Sequence, residues 1–366
     1  RIGLAAPTGR ASRKLAEVTE LPADTIHGMI GFRPGKEPDY DEHLPLPYDL
    51  IIIDEWSMAD LQLAYYLFRA IGMRTKVVLI GDSDQLPSVG PGNVLRDMID
   101  SGIPHIRLTE IFRQAQESQI VVNAHRINQG KGIIVDHAKG DFFFLEHEQP
   151  EAIARLVERS VLRFLEKGYD ISDILVLSPM KKGPIGTQEL NKRLQAIVNP
   201  PSPSKAEWVI GERVFRAGDR IIQTVNDYSK GVMNGDMGVV IRIDVNDDEE
   251  NVLVCRFGDH DVTYTQDELK ELGLAYAITI HKSQGGQAPV VIMPISTSHY
   301  IMLARNLVYT GITRAEKTCV MIGTRKALAI AVRNDQAVQR NTRLGKRILS
   351  RMKEGVTHER HRYADG

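Results

Sequence analysis

The stretch DLIIIDEWSM, Asp49–Met58, runs four aliphatic residues, Leu50 to Ile53, directly into two carboxylates, Asp54 and Glu55. An apolar run with no polar alternation is the pattern of a strand covered on both faces, as in a parallel α/β sheet. In such sheets ligands bind beyond the carboxyl ends of the strands, so two side chains that are costly to desolvate stand where a site is expected. A second run, VVLIGDSDQLPSVGPGN at 77–93, reads the same way: a buried strand ending in polar residues, with Gln85 just past its tip. Together the two strand ends supply Asp54, Glu55, Asp82 and Gln85. That set suits nucleotide hydrolysis, in which an aspartate holds Mg2+, a neighbouring glutamate orients and deprotonates water, and a glutamine senses the γ-phosphate.

Outward from these strands, short aliphatic runs recur with helical stretches between them: RIGLAAPT, HIRLTE, DFFFLE, DILVLSP, AYAITIH, APVVIMP and KTCVMIG. Alternating strands and helices favour α/β architecture with parallel sheets. Nine such strands exceed one small layer, and LTEIFRQAQES at 108–118 marks the change to a second sheet. Two segments break the pattern. Residues 31–47, GFRPGKEPDYDEHLPLP, have loop-like Gly and Pro density and read as an excursion from the first lobe. Residues 206–272 alternate like strands between Gly, Asn and Asp turns, which predicts a small antiparallel barrel inserted into the second lobe. The preceding NPPSPSK is a stiff linker, and VNDDEENV at 245–252 a charged hairpin tip.

The 366 residues allow two or three domains, and 42% hydrophobic with 25% charged residues is ordinary for a globular protein. A net charge of −1 argues against a uniformly basic coat, although residues 333–366 hold nine Lys or Arg against four acids. Cys255 and Cys319 have no metal-ligand spacing and read as buried small hydrophobes in a reducing compartment. No apolar run reaches membrane-span length and the start lacks a signal-peptide layout, so the sequence reads as cytoplasmic.

APTGRAS at 6–12, DEWSM at 54–58, GDSDQLPSVGPGNVL at 81–95, LTEIFRQAQES at 108–118, TIHKSQG at 279–285 and VYTGITRAEK at 308–317 resemble, in order, motifs Ia, II, III, IV, V and VI of superfamily 1 DNA helicases. The likeness is to the RecD-like branch, relatives of the exodeoxyribonuclease V alpha subunit. It implies two RecA-like parallel-sheet motor lobes, the first incomplete, with an inserted Src-homology-3-like barrel. The implied divisions are 1–104 for the first lobe, including a pin-like excursion at 31–47, 105–205 and 273–345 for the second lobe, 206–272 for the barrel, and 346–366 for a basic tail.

The resemblance further implies that Asp54 coordinates Mg2+, Glu55 activates water and Gln85 couples the γ-phosphate to DNA. Arg113 and Arg314 would reach from the second lobe as arginine fingers, a role that suits arginine's planar fork. Gln284, Gly286 and Gln287 would meet the nucleotide. Pro7, Thr8, Gly9 and Arg10 would form a phosphate-binding strand-to-helix turn. The tripeptide Thr-Ile-His occurs once per lobe, and Thr25 and His27 would pair with Thr279, His281, Lys282 and Ser283 as grips on successive phosphates of one DNA strand. The implied activity is an ATP-dependent, 5′ to 3′ helicase acting on single-stranded DNA and on single/double-strand junctions, in repair or recombination.

Three departures qualify the match. No GxxxxGK[ST], the string whose amides and lysine cradle phosphates, occurs in the sequence. The expectation is therefore the C-terminal part of a longer enzyme, with no appreciable ATP turnover by the 366 residues alone. Gly286 and Gln287 stand where the family usually has Ser and Glu, and Gly311 where it usually has Ala. The alternatives are an ATP-independent DNA-binding remnant and the helicase half of a conjugative relaxase.

Overall fold

The computed structural model describes residues 1–33, 35–108, 117–136, 140–245, 250–335, 340 and 342–362, with side chains described to residue 353. The chain is α/β and divides into two compact units: Arg1–Pro7, Ala11–Ile111 and Gln336–Gly366 form one, and Thr8–Arg10 with Phe112–Asp335 the other.

The first unit is built on β1 (Ile2–Ala6), β2 (Asp24–Thr25), β3 (Leu50–Ile53) and β4 (Lys76–Leu79), all parallel in the order β2-β1-β3-β4. Helix α1 (Gly9–Thr19) follows β1, and the single turn α2 (Ile26–Met29) follows β2. Helix α3 (Leu61–Ala70) buries Leu63, Ala64, Leu67 and Ala70, one face of a 3.6-residue period, against Ile51, Ile53, Ile26 and Trp56. Each leucine or isoleucine side chain among them contributes about 1.5–3 kcal/mol when fully buried, each alanine methyl less. Asp60 caps α3 by accepting from the Leu63 amide at 2.8 Å. Helix α4 (Val94–Asp100) follows β4.

Three expectations change here. The run at 77–80 is not covered on both faces: Val78 is 45% and Ile80 49% exposed, because β4 is an edge strand paired only with β3 among the described residues. HIRLTE yields no strand over its described residues 105–108; Ile106 and Leu108 are about nine-tenths exposed, and among the described residues no strand pairs with them. Residues 31–47 hold no strand among those described and fold back on α3 instead of standing clear of it. The Leu46 amide donates to the Ala70 carbonyl at 2.7 Å, Leu46 is buried, and Arg69 pairs with Glu42 at 2.6 Å and more distantly with Glu37 and Asp41.

In the second unit β5 (Phe142–Glu146), β6 (Ile174–Ser178), β14 (Ala277–Thr279), β15 (Ala288–Ile295) and β16 (Ala315–Gly323) form a parallel sheet ordered β14-β6-β15-β16-β5. All five residues of β6 are buried, as an uninterrupted apolar run requires when helices cover both faces. Helices α5 (Gln119–Asn128), α6 (Pro150–Glu166), α7 (Thr187–Val198), α8 (Arg305–Ile312) and α9 (Arg325–Arg333) accompany it.

Between β6 and β14 the chain makes the hairpin β7 (Glu207–Ile210) and β8 (Arg213–Arg216), then β9 (Arg220–Gln223), β10 (Met237–Val245), β11 (Asn251–Phe257), β12 (His260–Tyr264) and β13 (Leu272–Leu274). The last five form an antiparallel sheet ordered β12-β11-β10-β9-β13 over a core of Phe215, Ile221, Leu253 and Tyr264. The tip of the expected charged hairpin, 246–249, lies outside the described residues.

This sheet is fastened to the parallel one by two adjacent residues. Buried Asp219 accepts from Gln195 Nε2 (2.6 Å), Asn199 Nδ2 (2.7 Å), Tyr276 Oη (2.9 Å) and the Arg216 amide (2.7 Å). Arg220 donates to the carbonyls of Ile171 and Ile174, each at 2.7 Å. A buried charge is tolerable only when so fully bonded.

The end of the chain departs from the expected division. Residues 336–366 cluster with the first unit, not the second, and helix α10 (Leu344–Arg362) packs on α4. The bonds responsible are Ser101 Oγ to the Gly345 carbonyl at 3.2 Å, Thr342 Oγ1 to Asp97, and a set made by Arg340. Residue numbers alone do not reveal such a return.

Candidate functional site

The two strand ends of the first unit are stitched together by backbone. The Ile80 amide donates to the Ile53 carbonyl at 2.8 Å, and the Trp56 amide to the Ile80 carbonyl at 2.7 Å. Asp54 thus leaves β3 alongside the exit of β4, and its Oδ1 accepts from the Glu55 amide at 2.8 Å. Glu55 itself has φ 51° and ψ 36°, the left-handed region. A non-glycine there costs about 1 kcal/mol or more, and such strain gathers at functional positions. Gly81 permits the close approach: a Cβ there would lie 2.9 Å from the Ser57 amide nitrogen and 3.1 Å from that of Trp56.

Beyond β4, Asp82 organises the turn that carries Gln85. Its Oδ1 accepts from the Asp84 amide at 3.0 Å and its Oδ2 from Gln85 Nε2 at 3.2 Å, while Arg107 holds Asp84 at 2.6 Å. The structure therefore brings Asp54, Glu55 and Gln85 to neighbouring ends of one parallel sheet. Arg113 lies outside the described residues.

Thr25 ends β2 and caps α2, its Oγ1 accepting from the Gly28 amide at 2.9 Å. Ile26 is buried, and His27 is half-buried with its ring edge-on to Phe32 at 5.2 Å. Burial pushes the His27 imidazole below its usual range, opposed by the Asp60 carboxylate. Pro7 follows β1 in this unit.

In the second unit Thr279 ends β14 and caps the turn Ile280–Ser283, its Oγ1 accepting from the Lys282 amide at 3.4 Å. Ile280 is buried and His281 half-buried, its imidazole pushed down by desolvation. Desolvation, then the neighbouring Lys181, lowers Lys282. Ser283 departs from the expected phosphate-facing position: it is fully buried and its hydroxyl donates to the Ile280 carbonyl at 2.7 Å.

Gln284 is buried and Gly285 takes φ 71°. Arg314 is only 3% exposed, with Nε on the Thr310 carbonyl and an Nη on the Gly286 carbonyl, both 3.2 Å away. It thereby ties the end of α8 to the loop before β15. Thr8, Gly9 and Arg10 cluster with this unit, and Arg10 donates to the Gln287 carbonyl at 3.2 Å. A Cβ at Gly286 would fall 2.0 Å from the Arg10 guanidinium carbon, which accounts for glycine there. A Cβ at Gly311 would fall 2.5 Å from Met293 Sδ.

Sequence reading gave no role of their own to Asp60, Gly81 and Asp219, and took Arg340 only as one charge of the basic stretch. Of these only Gly81 carried a local signal, a glycine directly after an apolar strand. Among the described residues no three His, Cys, Asp or Glu side chains group to hold a metal, and no helix is long and apolar enough to cross a membrane.

Known proteins share both the local patterns and the fold. Residues 1–142 match the AAA domain model, 190–257 the ATP-dependent RecD-like DNA helicase SH3 domain, and 274–322 the UvrD-like helicase C-terminal domain. The chain is 38% identical over 349 residues to the ATP-dependent RecD2 DNA helicase of Deinococcus radiodurans, covering 95% of this chain and 46% of that protein. It is 29% identical to the RecBCD enzyme subunit RecD of Mycolicibacterium smegmatis over 95% of this chain and 66% of that one. It thus spans about half the length of the first relative and under two thirds of the second. A crystal structure of Pif1 helicase from Bacteroides, in complex with ADP-AlF3 and single-stranded DNA, has the same fold, with a TM-score of 0.52 at 19% identity over 92% of this chain and 86% of that one.

Two parallel sheets with an antiparallel insertion are thus a fold that this chain shares with that protein. Over 95% of its length the chain is similar to RecD-like DNA helicases, and its SH3 and C-terminal regions match helicase domain models.

Proposed function

We propose that this chain is the motor of an ATP-dependent DNA helicase that moves 5′ to 3′ along single-stranded DNA and opens the duplex at junctions, in DNA repair or recombination. The observation that carries the reading is the convergence of Asp54, Glu55 and Gln85 on two strand ends joined by the Ile80–Ile53 and Trp56–Ile80 hydrogen bonds. Polarity rests on family resemblance alone.

The donor set suits Mg2+, which takes one or two carboxylates and completes its shell with phosphate and water. Asp54 would hold it, and when bound it neutralises charge developing on the phosphates. Glu55 would accept the proton of the attacking water, its carboxylate aimed by the left-handed backbone. Gln85, tethered to Asp82, would register the γ-phosphate. Arg314, with Arg113, would place fixed positive charge on the transferring group. Gln284, Gly286 and Gln287 would line the nucleotide's path. Pro7, Thr8, Gly9 and Arg10 would meet DNA phosphates, as would the Thr25–His27 and Thr279–Lys282 turns, with neutral imidazoles acting as hydrogen-bonding groups.

The test is phosphate release by the full protein that carries this chain, with and without single-stranded DNA. DNA-stimulated turnover is expected, and Glu55→Gln should retain ATP binding while losing about 10² to 10⁴ in rate. DNA binding without any turnover would instead support an ATP-independent DNA-binding module.

A further inference from the structure

The segment that returns to the first unit places one guanidinium against a single loop. Arg340 donates through one Nη to Ser88 Oγ at 3.1 Å, to the Gly92 carbonyl at 2.6 Å and to the Gly90 carbonyl, and through the other Nη to the Ser88 carbonyl at 2.5 Å. Three backbone carbonyls and a hydroxyl thus converge on it. Carbonyl oxygens brought together repel one another, and a group offering several donors in a fixed fork is the side chain that satisfies them.

The loop is held from its other side by the start of α3. The Leu61 amide donates to the Pro91 carbonyl at 2.9 Å, and a Cβ on Gly90 would lie 1.9 Å from Asp60 Oδ2. Gly92, at φ 99°, leaves no room for a Cβ beside Leu61 Cγ, which would be 2.5 Å away. The loop begins three residues after Gln85, with buried Leu86 between, and runs through Asn93 into α4. The returning segment grips α4 as well, through Thr342 on Asp97 and Gly345 on Ser101. Gln85 is therefore fixed from behind by β4 and from ahead by a loop whose shape depends on Arg340.

We infer that Arg340 is a positioning residue: by holding Ser88–Gly92 it sets Gln85 for its part in turnover, so that the returning segment is a working component of the motor. This rests on the function proposed above. It concerns the rate of the chemical cycle and not the affinity for either ligand, because among the described residues Arg340 bonds to the loop alone.

The experiment compares Arg340→Ala and Arg340→Lys with the unaltered full protein in two assays: amide hydrogen exchange over residues 86–94, and DNA-stimulated ATP turnover resolved into kcat and KM alongside affinity for an unstructured oligodeoxynucleotide. Hydrogen bonds from a charged donor are strong enough that Arg340→Ala should speed loop exchange about tenfold or more and lower kcat by a similar factor. KM for ATP and DNA affinity should stay within about twofold. Arg340→Lys keeps the charge among the carbonyls and should recover part of both losses. Faster exchange with unchanged kcat would reduce Arg340 to a structural tie, and unchanged exchange would remove it from the loop; either overturns the inference. If the unaltered protein shows no DNA-stimulated turnover, the motor reading falls and this role with it, while the exchange data still report the grip separately.

Discussion

Thr25–His27 and Thr279–His281 are the same tripeptide, each opening a threonine-capped helical turn, α in the first unit and 3-10 in the second. The threonines adopt φ −70° and ψ 152° in one case and φ −74° and ψ 150° in the other, each at a strand end, each capping the turn that follows, each succeeded by a buried isoleucine. The surroundings diverge. His27 stands near Asp60 in the unit that carries the strand-end carboxylates, whereas the residue after His281 is a lysine that feels Lys181. The lesson is that three residues and a strand end suffice to set a local shape, while its electrostatics are set by residues far away in the chain. The first unit sets Asp54 and Glu55 at the end of β3; the second holds buried Arg314 and a lysine-bearing turn.

The largest expected effect tests that division. Arg314→Ala should cost about 10³ to 10⁵ in DNA-stimulated turnover if the second unit supplies the charge that stabilises phosphoryl transfer. A rate within a few-fold of the unaltered protein would confine Arg314 to its bonds with the Thr310 and Gly286 carbonyls. Thermal unfolding of the variant separates the two roles, since removing a buried, bonded arginine also destabilises.

A smaller effect sharpens the likeness of the turns. A cap threonine replaced by alanine costs about 0.5–2 kcal/mol. The cap bond of Thr25 is 2.9 Å and that of Thr279 is 3.4 Å, so Thr25→Ala should lose more stability in chemical denaturation than Thr279→Ala. Equal losses would mean that the shared φ and ψ matter more than the bond. Lys282→Ala, which leaves the cap intact, should instead lower the salt dependence of DNA binding by about one unit of slope, as expected when one phosphate is no longer neutralised.

What could be read from sequence follows the same division between local and distant. The strand runs that became β1, β3, β6, β15 and β16 were legible because an unbroken aliphatic stretch has few other uses, and the alternation at 206–272, read as a small antiparallel barrel, lies in an antiparallel sheet. The exposure of Val78 and Ile80 was not legible, since whether a strand lies at an edge depends on partners elsewhere. HIRLTE has a strand's composition, yet with no strand paired to it among the described residues Ile106 and Leu108 lie in solvent. Asp54, Glu55 and Gln85 announced themselves by following apolar runs. Arg340 and Asp219 could not: the loop that Arg340 grips lies about 250 residues away, the donors to Asp219 are spread from Gln195 to Tyr276, and an arginine in a basic stretch looks like any other.

The smallest expected effect is also the one that most directly compares the two turns, and it is read by pH. Burial holds both imidazoles below their ordinary range, so between that range and the depressed values the unfolded chain binds more protons than the folded one. Stability contributed by the neutral histidines is thus present at pH 7 and is lost as pH falls through the folded pKa. A phosphate seated beside either imidazole works the other way, favouring the protonated form and raising the pKa. DNA affinity should accordingly rise by a few-fold as pH falls below about 6.5, while the stability of the free protein declines over the same window. His27 already has the Asp60 carboxylate near it, so its protonated form gains less from an added phosphate than that of His281. His281→Gln should therefore flatten the pH dependence of DNA binding more than His27→Gln, measured by fluorescence anisotropy at constant ionic strength from pH 7.5 to 5.5. An equal response from the two variants would mean that Asp60 does not distinguish the turns, and no response from either would remove the histidines from the phosphate path.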